Sequence, residues 1–372
     1  MGGKVIRGVY LGGHGSGTAR LLRFGLTGGM SRIPVAILGA TGMVGQRFVQ
    51  LLQNHPWFEL VELAASDRSA GKRYEDAAPW RLPGANPLTG SRVVAATPEA
   101  VRAPLVFSAL DKSVAAEVEP AFARAGRIVV SNASAFRMAE GVPLIIPEIN
   151  PHHIEWVRDA RRQGAGFILT NPNCTCIPMT MALAPLNRHF GVEAVTVASY
   201  QAVSGAGYPG ESAWDILGNV HPHPGDEEQK VSEEPRKILG SALSGAAQLA
   251  TFPISARCVR VPVVDGHLVA VSVRLRENPT LDQVKEALSS FRGPIALPSL
   301  PERPIVLTAA RDRPTPRTDA DTGAGMSVTV GRIEPCEVLT IKFFALAHNV
   351  VRGAAGAAIA NAELVVERGL LG

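Results

Sequence analysis

The chain has 372 residues, 46% of them hydrophobic and 19% charged: too long for one ordinary domain, comfortable for two, and unlike a disordered chain. A formal charge of +4 with no long run of Lys or Arg argues against nucleic-acid binding and suits small anionic ligands. No apolar stretch approaches the roughly eighteen residues of a membrane span, and the cysteines Cys174, Cys176, Cys258 and Cys336 give neither a zinc framework nor a disulfide scaffold, so a reducing cytoplasm is expected.

Residues 1–29 contain Lys4, Arg7, Arg20 and Arg23, no acid and many glycines. They read as a non-structural extension, with Met30 the functional start or the segment a dispensable tail; a transit peptide is the alternative. A strand is expected at Val35–Leu38, then the glycine turn Gly39-Ala-Thr-Gly42-Met-Val-Gly45, a helix over 46–53 that His55-Pro56 breaks, and a second strand at Leu60–Ala65. That is a βαβ unit, whose crossover implies a parallel sheet. Further strands are expected at 92–96, 105–109 and 128–131, with a helix over 113–125. The first half is therefore a Rossmann-type doubly wound α/β domain.

Beyond about residue 170 the strand-like runs lengthen and stop alternating with helices. They fall at 195–202, 258–264, 267–276, 327–332 and 338–347, with helices over 177–189, 228–240 and 280–291. This predicts an α+β domain with a mixed sheet. A last Ala-rich helix over 351–368 is expected to stop at Gly369.

Four places carry chemistry. Gly39, Gly42 and Gly45 permit a tight turn and close approach to a pyrophosphate, which the following helix N-terminus would bind; a purely structural turn is the alternative. At the end of the second strand, Ser66, Arg68, Ser69 and Lys72 suit the 2′-phosphate of NADP. Asp67 is discordant there, and either faces away or pairs with a neighbouring cation. In Asn171-Pro-Asn-Cys174-Thr a cysteine stands at the start of a helix, where positive potential should lower its pKa and favour thiolate. Asn173, Thr175 and backbone N–H groups offer an oxyanion site, and Cys176 reads as a packing residue. In Cys258–His267, Arg260 offers a planar clamp for a carboxylate and His267 an acid/base.

These motifs together resemble the aspartate-semialdehyde dehydrogenases of the branch common in archaea and fungi. The matching pieces are GATGMVG at 39–45, ASDRSAGK at 65–72, SNASAFR at 131–137, NPNCT at 171–175, QAVSGAGYPG at 201–210, EEQK at 227–230, CVRVPVVDGH at 258–267 and HNVVRGAAG at 348–356. The resemblance spans residue 33 to the carboxyl terminus. It implies NADPH-dependent reductive dephosphorylation of L-4-aspartyl phosphate to L-aspartate 4-semialdehyde. That step serves the biosynthesis of lysine/diaminopimelate, threonine, methionine and isoleucine. It also implies a second domain of the glyceraldehyde-phosphate-dehydrogenase-like type.

Residue by residue, the resemblance implies that Cys174 is the nucleophile and His267 the acid/base, with Gln201 orienting the acyl group. Arg260 takes the α-carboxylate, Glu227 the amine, and Arg137 with Lys230 the phosphate; Asn173 is a further substrate contact. Cofactor contacts are implied at Gly39, Thr41, Gly42, Met43, Val44, Gly45, Ser66, Arg68, Ser69, Lys72, Asn132, Ser204, Gly205 and Asn349. No metal is implied. The expected division is 30–170 plus 349–372 for NADP and 171–348 for catalysis and dimerisation, giving a homodimer or homotetramer. A malonyl-CoA reductase on the same scaffold would keep Cys174 and His267 but have no use for Glu227. A non-catalytic paralogue should have lost one of these groups, and none is missing.

Overall fold

A computed structural model of the chain describes residues 32–222, 224–243 and 246–371; the extension over 1–29 lies outside the described residues. The chain begins with β1 (Ile33–Leu38), α1 (Met43–Leu51), β2 (Phe58–Ala65), the short α2 (Tyr74–Ala77), β3 (Val93–Ala95) and β4 (Leu105–Ser108). It continues through α3 (Lys112–Arg124), β5 (Ile128–Ser131), the short α4 (Arg158–Arg162) and β6 (Phe167–Thr170). All six strands are parallel, in the order β3-β2-β1-β4-β5-β6. The order reverses beside β1, and a ligand crevice opens at that switch point, beyond the carboxyl ends of β1 and β4.

Alternation along β1 feeds two cores. Val35 and Ile37 pack with Phe48, Phe58 and Leu364, while Ala36 and Leu38 pack with Val106, Phe122 and Val129. Both faces of the sheet are thus covered, which is why its strands read as continuous apolar runs.

Next come α5 (Cys176–Phe190), β7 (Val192–Gln201), the short α6 (Ala213–Ile216), α7 (Glu227–Ile238) and a small hairpin, β8 (Ser241–Leu243) with β9 (Ala246–Gln248). The second part closes with β10 (Ile254–Arg260), β11 (His267–Leu275), α8 (Leu281–Ser289), β12 (Ile305–Thr308), the short α9 (Pro316–Asp319), β13 (Val328–Pro335) and β14 (Ile341–Ala347). Its sheet is mixed, in the order β10-β7-β11-β14-β13-β12. β7 shows why one face is buried: Val195 and Val197 join the core with Leu183 and Leu186 of α5, while Thr196 and Tyr200 stay exposed. The opposite face therefore lacks a cover within the described residues.

The final helix, α10 (Gly356–Glu367), returns to the first sheet, where Ala358, Ile359 and Leu364 complete its core. Leu297, in the connection after α8, joins the same core. No helix among the described residues is long and apolar enough to cross a membrane.

The structure differs from the sequence reading in three places. β6 and β12 were not expected; both are four-residue strands that pair in parallel, with β5 and β13. The expected strand over 258–264 occupies 254–260 and ends before Pro262, which lacks a ladder donor. The expected helix over 351–368 starts with a π turn, Val351–Ala355. There the buried Arg352 reaches Glu148 with two bonds, at 2.8 and 3.0 Å, and Gly353 packs against the cysteine loop. Such turns commonly occur at functional sites.

Candidate active site

On the first-sheet side the site is built from backbone. Gly39 has φ +78°, and a Cβ there would lie 2.7 Å from the Ala109 carbonyl oxygen. A Cβ at Gly45 would lie 2.3 Å from the Gly39 oxygen. Only glycine permits this turn to fold onto α1. Gly42 is the N-cap of α1 and supplies no side-chain cap, and no acid stands in the first turn. The N–H groups of that turn are therefore open to an anion. At the end of β2, Ser66, Asp67, Arg68 and Lys72 are exposed and Ser69 is half-buried. No ion pair among the described residues involves Asp67, Arg68 or Lys72.

A cavity of about 340 Å³ joins this side to the second sheet. Its wall brings together Val44, Asn132, Arg137, Asn173, Cys174, Gln201, Ser204, Gly205, Glu227, Lys230 and Asn349. These come from both parts of the fold and from segments as far apart as residues 44 and 349. The side chains of Arg260 and His267 stand one layer behind, against Gly205. A Cβ on Gly205 would lie 2.9 Å from His267 Cε1 and 3.0 Å from Arg260 Nη1. Gly39, Thr41, Gly42, Met43 and Gly45 lie in and beside the turn rather than on this wall, as do the residues after β2.

The cysteine loop connects β6 to α5. Asn173 shapes it, accepting the Thr175 N–H at 2.9 Å through Oδ1 and donating to Glu227 Oε2 at 2.8 Å through Nδ2. Both ends of the Asn173 amide are thus engaged within the protein. Cys174 opens onto the cavity, while Cys176 is fully buried, as a packing residue should be. The expected depression of the Cys174 pKa is overturned. Burial, and then the Glu227 carboxylate, push the thiol up to about 12, outweighing the pull of Arg137 and Arg260.

Glu227 is ringed by donors: Lys230 Nζ at 2.9 Å, Asn173 Nδ2 at 2.8 Å and Gln201 Nε2 at 3.4 Å. The Glu227–Lys230 pair is the i,i+3 neighbour relation expected on a helix face. Arg260 donates through Nε to Glu211 at 3.0 Å, and through Nη1 to Gln201 Oε1 at 3.1 Å and the Ala202 carbonyl at 3.0 Å. His267 accepts the Ala202 N–H at Nδ1, 3.0 Å away, while its buried Nε2 has no partner. Burial, with Arg260 and His348 nearby, pushes its pKa down to about 3. The ring is therefore neutral, and acceptance at Nδ1 places its proton on Nε2.

Four further hydrogen bonds fix the nicotinamide candidates. Asn132 accepts from Asn171 Nδ2 at 2.7 Å and donates to the Ser108 carbonyl at 3.3 Å. Asn349 accepts the Gly266 N–H at 2.8 Å and donates to Ser204 Oγ at 2.8 Å. Each amide has its orientation set by a fixed partner.

Residues 34–157 match the semialdehyde dehydrogenase NAD binding domain, and residues 183–352 match the semialdehyde dehydrogenase dimerisation domain. The aspartate-semialdehyde dehydrogenase of Archaeoglobus fulgidus is 48% identical over 344 residues, which cover 91% of this chain and 100% of that one. The chain belongs to the aspartate-semialdehyde dehydrogenase family. The Schizosaccharomyces pombe member is 43% identical over 352 residues, 91% of this chain and 99% of its own. Among solved structures, the Candida albicans aspartate semialdehyde dehydrogenase with NADP matches with a TM-score of 0.85 at 38% identity, covering 91% of this chain and 100% of that one. Aspartate semialdehyde dehydrogenase II of Vibrio cholerae, complexed with ASA, matches at 0.73 and 30% identity, covering 91% and 99%. Archaeal and fungal members thus stand among the relatives, as the motifs implied.

Family motifs left several residues of the site unread. Glu234, 2% exposed, lies two turns along α7 from Glu227 and bonds both Arg137 and the Asn173 N–H. The i, i+3, i+7 spacing of Glu227, Lys230 and Glu234 was a usable signal on one helix face. Glu211, which holds Arg260, was given no role, and Gly353, inside the matching stretch 348–356, was not assigned its place against Cys174, where its Cβ would lie 2.5 Å from Cys174 Cβ.

Proposed function

We propose that the chain reduces L-4-aspartyl phosphate to L-aspartate 4-semialdehyde with NADPH, through a thioester on Cys174. It is an oxidoreductase acting at the aldehyde level in amino-acid biosynthesis. The observation that carries the mechanism is the shared cavity: Cys174 opens onto the same space as Val44 of the glycine turn and the fixed amides of Asn132 and Asn349.

The residues present fit a dinucleotide. The uncapped start of α1 and the cradle that Cβ atoms at Gly39 and Gly45 would fill suit its pyrophosphate. Ser66, Arg68, Ser69 and Lys72 would hold the 2′-phosphate, and Asn132, Ser204, Gly205 and Asn349 the nicotinamide end. When bound, NADPH supplies the hydride that takes the acyl group to the aldehyde level. We assign residues 30–170 with 349–372 to this half and 171–348 to catalysis and dimerisation.

The substrate has three charged handles, and the site offers a partner for each. Arg260 takes the α-carboxylate, Glu227 the amine, and Arg137 with Lys230 the phosphate. As the Cys174 sulfur forms a bond to the acyl carbon and its thiol gives up its proton, the bond from that carbon to the phosphate oxygen breaks, and phosphate departs toward the two cations with the electron pair, taking up that proton. His267 Nε2–H is the donor for the oxygen that gains charge in each tetrahedral species. When the aldehyde forms, the sulfur leaves the carbon and is regenerated.

A second copy of the chain is the occupant proposed for the open face of the second sheet. The face presents Thr196, Arg257, Ser272, Lys342 and Phe344, within the part matching a dimerisation domain. The cytoplasm is the proposed compartment, in keeping with four free thiols.

The test is an assay of reduction with aspartyl phosphate and malonyl-CoA, each with NADPH and NADH. Turnover of aspartyl phosphate with NADPH is expected to exceed the other combinations. Preferred turnover of malonyl-CoA would overturn the substrate assignment.

A further inference from the structure

α7 places four charged side chains at i, i+3, i+7 and i+10: Glu227, Lys230, Glu234 and Lys237. Glu227 and Lys230 line the cavity, whereas Glu234 and Lys237 are buried beside it. Glu234 Oε1 accepts from Arg137 Nη1 at 3.0 Å, and Oε2 accepts from the Asn173 backbone N–H at 2.5 Å. Asn173 immediately precedes Cys174. One turn further on, Lys237 Nζ donates to the carbonyls of Arg137, Ala139 and Val142 at 2.7, 3.0 and 2.9 Å. Arg137 is thus gripped at its guanidinium by Glu234 and at its backbone by Lys237. Its remaining contact is Nη2 to the Asn132 carbonyl at 2.6 Å, and its Nε is buried with no partner. A guanidinium held on one edge keeps an unused donor for an anion.

We propose that Glu234 is a positioning residue that couples the phosphate arm to the nucleophile loop. This rests on the reading of Arg137 as a phosphate ligand. One carboxylate holds both groups, so Arg137 cannot rotate without loosening the peptide that carries Cys174, and the reverse holds. Phosphate departure and sulfur attack concern the same acyl carbon, so a fixed relation between the two groups keeps both aligned with it. Glu234 touches neither reactant and acts only through Arg137 and Asn173.

The experiment runs the reaction in the oxidative direction, where phosphate is a separate substrate. The intact protein is given aspartate semialdehyde, NADP and inorganic phosphate. Steady-state kinetics give separate KM values, and a stopped-flow trace without phosphate reads acylation of Cys174 as a burst of NADPH. Glu234→Gln is isosteric but uncharged, and cannot present an acceptor to both donors. It is expected to raise the phosphate KM about tenfold and to slow the burst about tenfold, with the semialdehyde KM within about twofold and the melting temperature near wild type. Arg137→Ala should raise the phosphate KM and also slow the burst, though by less than Glu234→Gln does, because Glu234 loses one of the two groups it couples but keeps the Asn173 N–H. Glu234→Asp keeps the charge on a shorter arm; if Glu234→Gln does not fold, the same double effect, smaller, is expected of it.

A raised phosphate KM with an unaltered burst in the Glu234 variants would overturn the coupling, as would equal rises in both KM values with a lowered melting temperature. If Arg137→Ala raises the phosphate KM and Glu234→Gln alters nothing, the inference fails and the Arg137 assignment stands. An unchanged phosphate KM in Arg137→Ala overturns that assignment itself.

Discussion

The two sides of the proposed site are made differently. Toward the first sheet, beside the cavity, the proposed cofactor wall is backbone: Gly39 and Gly45 admit no Cβ, and α1 starts without a side-chain cap. Toward the second sheet, the proposed substrate wall and the layer behind it are side chains held by other side chains: Arg260 by Glu211 and Gln201, Arg137 by Glu234, and Glu227 by Lys230, Asn173 and Gln201. A backbone site is specified over seven consecutive residues and tolerates no added atom. A side-chain site depends on partners scattered along the chain and tolerates no altered hydrogen-bond geometry.

The largest effect separating the walls is expected at Arg260. Arg260→Lys keeps the charge but loses the planar fork that serves Glu211 and Gln201. A fall in kcat/KM of about two to three orders of magnitude is expected, corresponding to roughly 3–4 kcal/mol, with NADPH affinity unchanged by titration. Weakened NADPH binding would show that the walls are not independent. On the backbone wall, Gly45→Ala should do the reverse. Overpacking costs about 1–3 kcal/mol, so NADPH affinity should fall about five- to hundredfold, together with the melting temperature. Intact affinity would mean that the turn can yield.

The next effect sharpens the electrostatics of the side-chain wall. Cys174 is held protonated by burial and by Glu227. In the unliganded protein its alkylation by iodoacetamide should still be accelerating near about pH 10, because the thiolate fraction rises until pH passes the thiol's pKa. Glu227→Gln removes a negative charge, which lowers that pKa and should speed alkylation about three- to tenfold at fixed pH. A rate that levels off near neutral pH would contradict the assigned cause. The smallest effect is expected at the exposed end of β2. Arg68→Ala should weaken NADPH about tenfold and leave NADH nearly unaffected, since only NADPH carries the 2′-phosphate. Equal losses would return weight to Asp67 as a ribose ligand.

The same contrast explains what could be read from sequence. Gly39, Gly45, Cys174 and the two-part fold were legible because each is signalled by neighbours within a few positions. Glu234 was not read, because its contacts to Arg137 and Asn173 span 97 and 61 residues. Gly353 gave no sign that it packs against a cysteine far upstream, within the π turn that opens the last helix. The Cys174 pKa was expected to fall because helix-end reasoning is local; the carboxylate opposing it arrives on α7 from beyond β7.

The central claim is covalent catalysis on Cys174. Its most direct test is rapid quenching of the protein mixed with aspartate semialdehyde and NADP in the absence of phosphate, followed by peptide mass spectrometry. The account predicts an aspartyl adduct on the peptide containing Cys174, released on addition of phosphate and absent from Cys174→Ala, which should still bind NADP. Turnover in wild type with no adduct at Cys174, or turnover by Cys174→Ala above about a hundredth of wild type, would contradict it.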